Sequence, residues 1–187
     1  MDHEARFRSI PWCAALLSNP DFTPTVTASR EPKASTEDSF FAETLQSDRT
    51  IRSCVSLQHN PSSAPDRAIP EVRIILELGD GVNGHPNICH GGFVATVLDE
   101  AMGVLLTVNM ENDRRRDPSL PGSLTAFTAY LNTKYHKPVP APGVILATAK
   151  FVKNEGRKTY ITATVGDGQG TVYAAAEALF IEPRAKL

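Results

Sequence analysis

The feature that most constrains the fold is one segment, from about Gly91 to Met110, whose side chains are apolar around most of a helical circumference. Its apolar residues are Phe93, Val94, Val97, Leu98, Ala101, Met102, Val104, Leu105, Leu106 and Val108. A helix that is apolar on nearly every side is normally buried on nearly every side. The segment therefore predicts a core helix that other parts of the chain must surround.

Strand-like segments stand on both sides of this helix in the sequence. Two segments precede the helix and four follow it with short turns between them, over Ile51–Gln58, Val72–Leu78, Leu124–His136, Val144–Val152, Lys158–Val165 and Thr171–Glu182. Short turns between successive strands are typical of an antiparallel sheet, and a single buried helix needs a sheet to cover it. We expect an α+β fold in which a curved antiparallel sheet wraps around one long central helix.

The first part of the chain differs from the rest. Ile10–Leu17 and Glu37–Gln46 have the apolar spacing of short helices. Between them, Asn19–Thr36 is rich in Pro, Thr and Ser, which is typical of an irregular connector. We therefore expect an N-terminal helical extension over residues 1–50 and the main α+β domain over residues 51–187.

Composition narrows the class of protein. Apolar residues make up 41% and charged residues 21% of the chain, as in proteins that fold around a core. The formal net charge of -2 argues against a nucleic-acid partner, because such partners favour a basic face. The chain lacks the run of about 18 apolar residues that predicts a membrane span, and its start lacks the pattern of a signal peptide.

The three cysteines, Cys13, Cys54 and Cys89, are too few and too scattered for a disulfide framework or a metal site. We therefore expect no bound metal and a reducing compartment. This indicates a cytoplasmic protein and leaves a mitochondrial location open. Cys89 stands beside His90, but the sequence implies no acid or amide that would support a Cys/His nucleophile.

The most informative motif is His90-Gly91-Gly92, which stands immediately before the predicted core helix. Glycines lack a Cβ and let a backbone turn approach a ligand closely, and the first N–H groups of a helix are free to donate to that ligand. Asp99 follows nine positions after His90, among the apolar residues of the helix. Such surroundings desolvate a carboxylate and raise its pKa, which makes Asp99 a candidate for chemistry.

Several segments match one known family in the same order. They are His90-Gly91-Gly92, Asp99 within VLDEAMG, LTAFTAYLNTKYHKPVPAPG over Leu124–Gly143, the turn Glu155-Gly156-Arg157-Lys158, and the closing strand from Tyr173 to Phe180. Together with the element order they resemble the hot-dog fold, and specifically the acyl-CoA thioesterases of the 4-hydroxybenzoyl-CoA and phenylacetate type. The resemblance covers residues 51–182, and the preceding residues match longer members that carry extra helices.

The resemblance implies hydrolysis of an acyl thioester, carried by coenzyme A or by an acyl-carrier protein, to a free acid and a thiol. It makes Asp99 the nucleophile or the general base, and both roles stay open. The N–H groups of Gly91 and Gly92 form the oxyanion hole, where one donor changes the rate by about two to three orders of magnitude. His90 orients this turn or donates to the thioester carbonyl, and Thr128 positions water or the acid, in related enzymes often from the neighbouring subunit.

Four further residues are candidates for substrate binding. Asn83 and Asn87 flank the motif and either hold the turn or contact substrate. Arg157 and Lys158 are placed to meet the phosphates of coenzyme A, which guanidinium and ammonium groups bind well. The resemblance implies no cofactor.

Two other charged features are given less weight. Glu100 follows Asp99, but adjacent helical residues point about 100° apart, so both carboxylates cannot face one pocket equally. We expect Glu100 to be structural or solvent-facing. Arg114-Arg115-Arg116 also offers guanidinium groups to phosphates, but we interpret it as part of a solvated connector over Glu111–Pro121.

The strand that holds Thr128 bears on both the site and the assembly. Strict alternation puts Thr128, Tyr130, Asn132 and Lys134 on one face, and Phe127, Ala129, Leu131 and Tyr135 on the other. A single sheet of this kind leaves an edge that can pair with a second copy. We therefore expect a homodimer or a dimer of dimers, with the site between subunits.

Two alternatives of the same fold stay open. One is a hydratase or dehydratase of acyl thioesters, although the sequence shows no second His and acid pair placed for that chemistry. The other is a non-catalytic protein that binds acyl thioesters as an accessory, because a fold does not guarantee hydrolysis.

Overall fold

The computed structural model describes residues 3–25, 27–60, 68–120 and 126–183. Its helices and strands in chain order are α1 (His3–Arg8), α2 (Pro11–Leu17), β1 (Phe22–Thr25), β2 (Ile51–His59), β3 (Glu71–Leu78), β4 (Asn83–His85), β5 (Ile88–Cys89), α3 (Gly91–Arg116), β6 (Phe127–Tyr135), β7 (Gly143–Glu155), β8 (Lys158–Gly166) and β9 (Val172–Ile181). A seven-stranded sheet has the order β1-β2-β3-β7-β8-β9-β6, with every neighbouring pair antiparallel, and β4 pairs with β5 separately.

The predicted core helix is α3, and it lies against the inner face of the sheet, in contact with β3, β6, β7, β8 and β9. Leu98, Met102 and Leu105 of α3 are fully removed from solvent and pack in one cluster with Ile74 and Ile161 of the sheet. The expected α+β fold, an antiparallel sheet around one long central helix, is confirmed. The predicted main strands also appear close to their expected bounds.

The helix α3 continues to Arg116, so the connector predicted over Glu111–Pro121 is wrong for its first part. Arg115 lies 3.8 Å from the Glu111 carboxylate and Arg116 lies 3.6 Å from the Asp113 carboxylate. Residues three and four apart are neighbours on a helix surface, and opposite charges there stabilise it. Polar residues can therefore extend the helix beyond its apolar part.

By length and composition alone, α3 is apolar enough to cross a membrane. In this structure its buried side chains pack on the inner face of the sheet instead. That packing is the packing of a core helix.

The helices α1 and α2 cover part of the outer face of the sheet, on the side opposite α3. Phe7, Cys13 and Leu17 pack there against Leu57 and Ile75 in a second apolar cluster. The short helix predicted over residues 10–17 is therefore present as α2, and it covers a sheet face. The helix α1 was not predicted.

The expected irregular connector and second short helix differ from the prediction. The strand β1 lies within Asn19–Thr36 and pairs with β2 at the edge of the sheet. It contains Pro24, and an edge strand tolerates a proline because one side of the strand makes no hydrogen bonds to the sheet. In place of the helix over Glu37–Gln46 there is a single π-helical turn at Phe40–Thr44. Part of the first fifty residues thus belongs to the main sheet, while the boundary at residue 50 stays a prediction.

Candidate active site

Asp99 and Thr128 meet at the edge of the sheet. Asp99 lies on α3, and the Thr128 hydroxyl on β6 donates a hydrogen bond to Asp99 Oδ1 at 3.0 Å. The sequence singled out both residues, and the structure brings them together. A hydroxyl that donates to one carboxylate oxygen fixes the orientation of the group and leaves the second oxygen available for chemistry.

A β-bulge in β6 directs Thr128 toward α3. Thr128 pairs with Phe180, whose ring is buried in the core, whereas Tyr130 pairs with Leu179. Ala129 is the extra residue between these two pairs. Strict alternation grouped Thr128 with Tyr130, and that prediction is wrong because the bulge puts the two residues on opposite faces.

The surroundings of Asp99 perturb its acidity. Partial burial raises the pKa of Asp99, because the charged form loses hydration, and the hydrogen bond from Thr128 lowers it in part. Desolvation is the larger of the two effects. The carboxylate is thus more basic than a solvated aspartate.

His90 caps the N-terminus of α3. Its ring Nδ1 accepts a hydrogen bond from the Gly92 N–H at 3.0 Å. Since Nδ1 accepts, the proton of the neutral ring sits on Nε2, which leaves one outward donor on an exposed side chain. The cap satisfies one of the free donors of the first helical turn.

This cap bears directly on the predicted oxyanion turn. The Gly92 N–H already has a partner in His90, whereas none of the residues in the described ranges accepts from the N–H of Gly91 or Phe93. The turn therefore presents free donors beside one that the histidine occupies.

Tyr135 is a site residue that the sequence did not single out. Its hydroxyl donates to the Gly91 carbonyl oxygen at 2.8 Å, from the inner face of β6. A Cβ added at Gly91 would lie 3.6 Å from the Tyr135 ring, so the ring covers this turn closely. The sequence signal for it was the Tyr-x-x-Pro spacing of Tyr135 and Pro138 at the end of the strand.

The two asparagines have different surroundings. Asn87 adopts a φ of 59°, a left-handed conformation that asparagine tolerates, and its carbonyl accepts from the Ala141 N–H at 3.2 Å. The side-chain oxygen of Asn83 is buried without a hydrogen bond from any described residue. Asn87 therefore holds the turn between β4 and β5.

Arg157 and Lys158 lie at the turn between β7 and β8. Arg157 Nη1 donates to the Glu182 carbonyl at 2.7 Å. Lys158 pairs across the sheet with Ile181, which in turn pairs with Phe127 next to Thr128. Two strand spacings, about 10 Å, separate the Lys158 and Phe127 backbones, so these cations share one end of the sheet with Thr128.

Glu100 points away from Thr128, toward the N-terminal part of the chain. Its carboxylate accepts a hydrogen bond from the Ser29 hydroxyl. Burial raises the pKa of Glu100 to about 7, the Ser29 bond and Arg30 oppose this, and the like charges of Asp38 and Asp99 add to it. Glu100 is therefore structural rather than solvent-facing, and the sequence did not reveal that Ser29 reaches it.

The other groups considered are Cys89, the Arg114–Arg116 run and a metal centre. Burial raises the pKa of the Cys89 thiol to about 11, which disfavours the nucleophilic thiolate. The Arg114–Arg116 run ends α3, about 22 Å along the helix from Asp99. Within the described ranges there is no group of three or more His, Cys, Asp or Glu side chains that could hold a metal ion.

Comparison with known proteins agrees with this geometry. A model of the thioesterase superfamily matches residues 86–174, which include His90, Asp99 and Thr128. Verlamelin biosynthesis protein B of a Lecanicillium species is 30% identical over 174 residues, which cover 79% of this chain and 75% of that protein. The chain belongs to the thioesterase superfamily. The expected family is confirmed. Membership of this family also confirms the expected class of enzyme, a thioesterase.

Other relatives of this thioesterase superfamily member match over shorter ranges. Acyl-coenzyme A thioesterase THEM4 of Mus musculus is 31% identical over 109 residues, 58% of this chain and 41% of that protein. The chain spans less than half the length of the THEM4 relatives it matches.

Solved structures support the same fold. A crystallised thioesterase superfamily protein matches with a TM-score of 0.50 and 26% identity, over 67% of this chain and 55% of that one. An uncharacterised protein from Pyrococcus horikoshii matches with a TM-score of 0.50 and 19% identity, over 62% of this chain and 78% of that one. The second likeness concerns the fold alone.

Proposed function

We propose that this protein hydrolyses an acyl thioester of coenzyme A, or of an acyl-carrier protein, to the free acid and the thiol. The observation that carries the proposal is the hydrogen bond from Thr128 to Asp99, which lies eight residues, about 12 Å, into α3 from Gly91. It combines a partly desolvated carboxylate with a group that orients it, on a helix whose first turn offers free N–H donors. The acyl-coenzyme A thioesterases among its relatives support coenzyme A as the carrier.

In the general-base form of the mechanism, Asp99 takes a proton from a water molecule that attacks the thioester carbonyl. The tetrahedral oxyanion then collapses, the carbon–sulfur bond breaks, and the thiolate leaves. The raised pKa of Asp99 makes it a stronger base, while the Thr128 bond holds it in position.

In the nucleophilic form, an oxygen of Asp99 attacks the carbonyl and the thiolate leaves. A mixed anhydride of the acyl group and Asp99 remains, and water then cleaves it to the acid and the free carboxylate. Turnover in ¹⁸O-labelled water separates the general-base form from a nucleophilic form in which water cleaves the anhydride at the Asp99 carbonyl. In that nucleophilic form the label enters the Asp99 side chain, whereas in the general-base form it enters only the product acid. Mass spectrometry of the peptide that contains Asp99 detects it.

The oxyanion is stabilised at the start of α3. Gly91 precedes Asp99 by eight residues, about 12 Å along the helix axis, so this turn and an Asp99 carboxylate meet one thioester only in a site shared between two subunits. Gly91 supplies an N–H without a described acceptor, and the Nε2–H of His90 offers a second donor on the same turn. The Gly92 N–H takes part when it shares or exchanges its bond to His90 Nδ1. Donors held in place before the reaction stabilise the developing charge without a cost of reorganisation.

We further propose a homodimer with the site between subunits, with pairing of dimers as an extension of it. The proposal is supported by β6, which is the edge strand beside Asp99 and exposes Phe127, Tyr130 and Tyr135. Exposed apolar edge strands commonly pair with a second chain. Light scattering after size-exclusion chromatography measures the mass, and a monomer active at all concentrations contradicts the proposal.

Arg157 and Lys158 are proposed to meet the phosphates of coenzyme A from the same end of the sheet. Asn83 and Asn87 shape the turn beside the site. The proposal needs no cofactor. We also propose a cytoplasmic location, supported by the free and buried Cys13, Cys54 and Cys89.

The central test is hydrolysis of an acyl-CoA panel by wild type and by Asp99→Asn. We expect the variant to lose at least about two orders of magnitude in kcat, because asparagine neither accepts the proton nor forms the anhydride. Asp80→Asn, an exposed residue paired with Arg49, is the matched control. Unchanged hydrolysis by Asp99→Asn contradicts the mechanism, and binding without turnover by wild type favours the accessory alternative.

A further inference from the structure

The face of α3 that carries Asp99 has a gap one turn further along the helix, where Gly103 has no side chain. Asp99 and Leu106 are two helical turns apart on one face, about 10 Å along the axis. Gly103 lies between them, and a Cβ added there would meet no described atom within 4 Å outside the adjoining turns. The helix therefore presents an open trough that begins at the Asp99 carboxylate.

This trough leads toward a cleft between the second half of α3 and the ends of β7 and β8. The cleft has a volume of about 520 Å³. Its apolar walls include Leu105, Leu106, Met110, Phe151 and Ile161. Volumes of this size accommodate small-molecule ligands, and apolar walls favour an apolar one.

The sheet connects the cleft to the candidate active site independently of the helix. Thr159 lines the cleft and pairs with Phe180, which pairs with Thr128. Because directly paired residues share a face, all three lie on the inner face, and two strand spacings of about 10 Å separate Thr159 from Thr128. The cleft thus begins about 10 Å from the Asp99–Thr128 pair by both routes.

We propose that the cleft binds the far end of an aliphatic acyl chain whose thioester carbonyl lies at Asp99. This rests on the proposed function and names its substrate class. An extended peptide advances about 3.5 Å over three bonds, so an extended hydrocarbon of about eight carbons covers 10 Å. Chains of about eight carbons or more therefore reach the cleft, and shorter chains end in the trough beside Gly103.

The charges at the mouth of the cleft favour an acyl chain over the nucleotide end of coenzyme A. Two carboxylates, Asp113 and Glu182, and one guanidinium, Arg114, line it, so their formal charges sum to a negative value. Carboxylates repel phosphates, whereas a hydrocarbon chain carries no charge and gains from contact with the apolar walls. The phosphates belong instead near Arg157 and Lys158, outside the cleft.

Gly103→Leu tests the proposal with acyl-CoAs from acetyl to palmitoyl. Leucine fills the trough and has a higher helix propensity than glycine, so the helix is not weakened by the change. We expect kcat/KM for chains of ten or more carbons to fall about tenfold or more, while butyryl-CoA changes by less than about threefold. Gly103→Ala is the matched control with a smaller side chain.

Met110→Trp narrows the cleft further from Asp99. We expect it to lower kcat/KM only for the longest acyl chains. The two variants should therefore change the chain length at which kcat/KM falls by different amounts. Equal effects on all chain lengths, or none, overturn the proposal. A loss of dimer mass in Gly103→Leu by light scattering also overturns it, because the space then belongs to a second copy of the chain.

A direct binding measurement separates this proposal from the proposed function. Calorimetry with decanoic acid compares wild type and Gly103→Leu without any turnover. If wild type hydrolyses no acyl-CoA but binds decanoic acid and the variant does not, the cleft stands and the hydrolytic proposal fails. If hydrolysis is present but both proteins bind decanoic acid equally, the cleft proposal fails alone.

Discussion

Thr128 donates a hydrogen bond to Asp99 across 3.0 Å, although the two residues lie 29 positions apart in the chain. A bond to the charged form of a carboxylate favours that form, so Thr128 lowers the pKa of Asp99 against the opposing effect of burial. The two residues therefore set the acidity of the site jointly.

Thr128→Val should move the acid limb of the pH profile of kcat/KM to higher pH. Valine cannot donate, so the pKa of Asp99 rises further and more of the carboxylate is protonated at a given acidic pH. Thr128→Ser keeps the hydroxyl and should leave the limb near its wild-type position. A limb that does not move in Thr128→Val contradicts a role for Thr128 in holding the ionised form.

Two substitutions of His90 should separate its structural and chemical roles. Asparagine is a preferred N-cap and can accept from the Gly92 N–H, so His90→Asn should retain most of the thermal stability. His90→Ala loses the cap and should cost about 1 kcal/mol in the free energy of unfolding. If Nε2–H donates to the oxyanion, both variants lose kcat; full activity in His90→Asn limits the histidine to capping.

Tyr135→Phe should lower kcat about tenfold with little change in KM. The phenol no longer donates to the Gly91 carbonyl, so the turn that carries the free Gly91 N–H is held less accurately. Tyr130→Phe removes a hydroxyl from the other face of the same strand and serves as the control. Initial rates over a substrate range measure both constants, and equal kcat in the two variants argues against this role.

Glu100→Gln should change the pH dependence of folding stability. A folded pKa of about 7, above the ordinary 4.5, means that the native state holds a proton that the unfolded state has lost. The stability that this group contributes is fully present below pH 4.5 and is lost as the pH rises through 7. The total loss in the free energy of unfolding is up to about 3 kcal/mol.

Glutamine cannot ionise but can still accept from the Ser29 hydroxyl, so Glu100→Gln should be more stable than wild type at pH 8 and similar at pH 4. Urea unfolding at a series of pH values measures the difference. Glu111→Gln, which changes a partly exposed acid of the same helix and keeps Glu100, should retain the wild-type slope. A parallel slope in wild type and Glu100→Gln means that the native pKa of Glu100 is not raised.

Local patterns were enough to predict most of the fold. The helix α3 and the strands around it are each specified by residues close together in the chain, so the apolar periodicity of the sequence predicts them. The patterns failed where distant contacts decide the outcome. The strand β1 forms because β2 offers it an edge, and the last turns of α3 continue through charge pairs rather than apolar spacing.

The sequence by itself determined the central helix, the glycine turn before it and the acid within it, because spacing along one helix fixes their relative positions. Only the tertiary structure decided which residues meet them. The bulge at Ala129 directs Thr128 to Asp99, Tyr135 reaches the Gly91 carbonyl, and Ser29 engages Glu100. Strand register and the path of a distant segment follow from the packing of the whole chain, so no local pattern encodes these contacts.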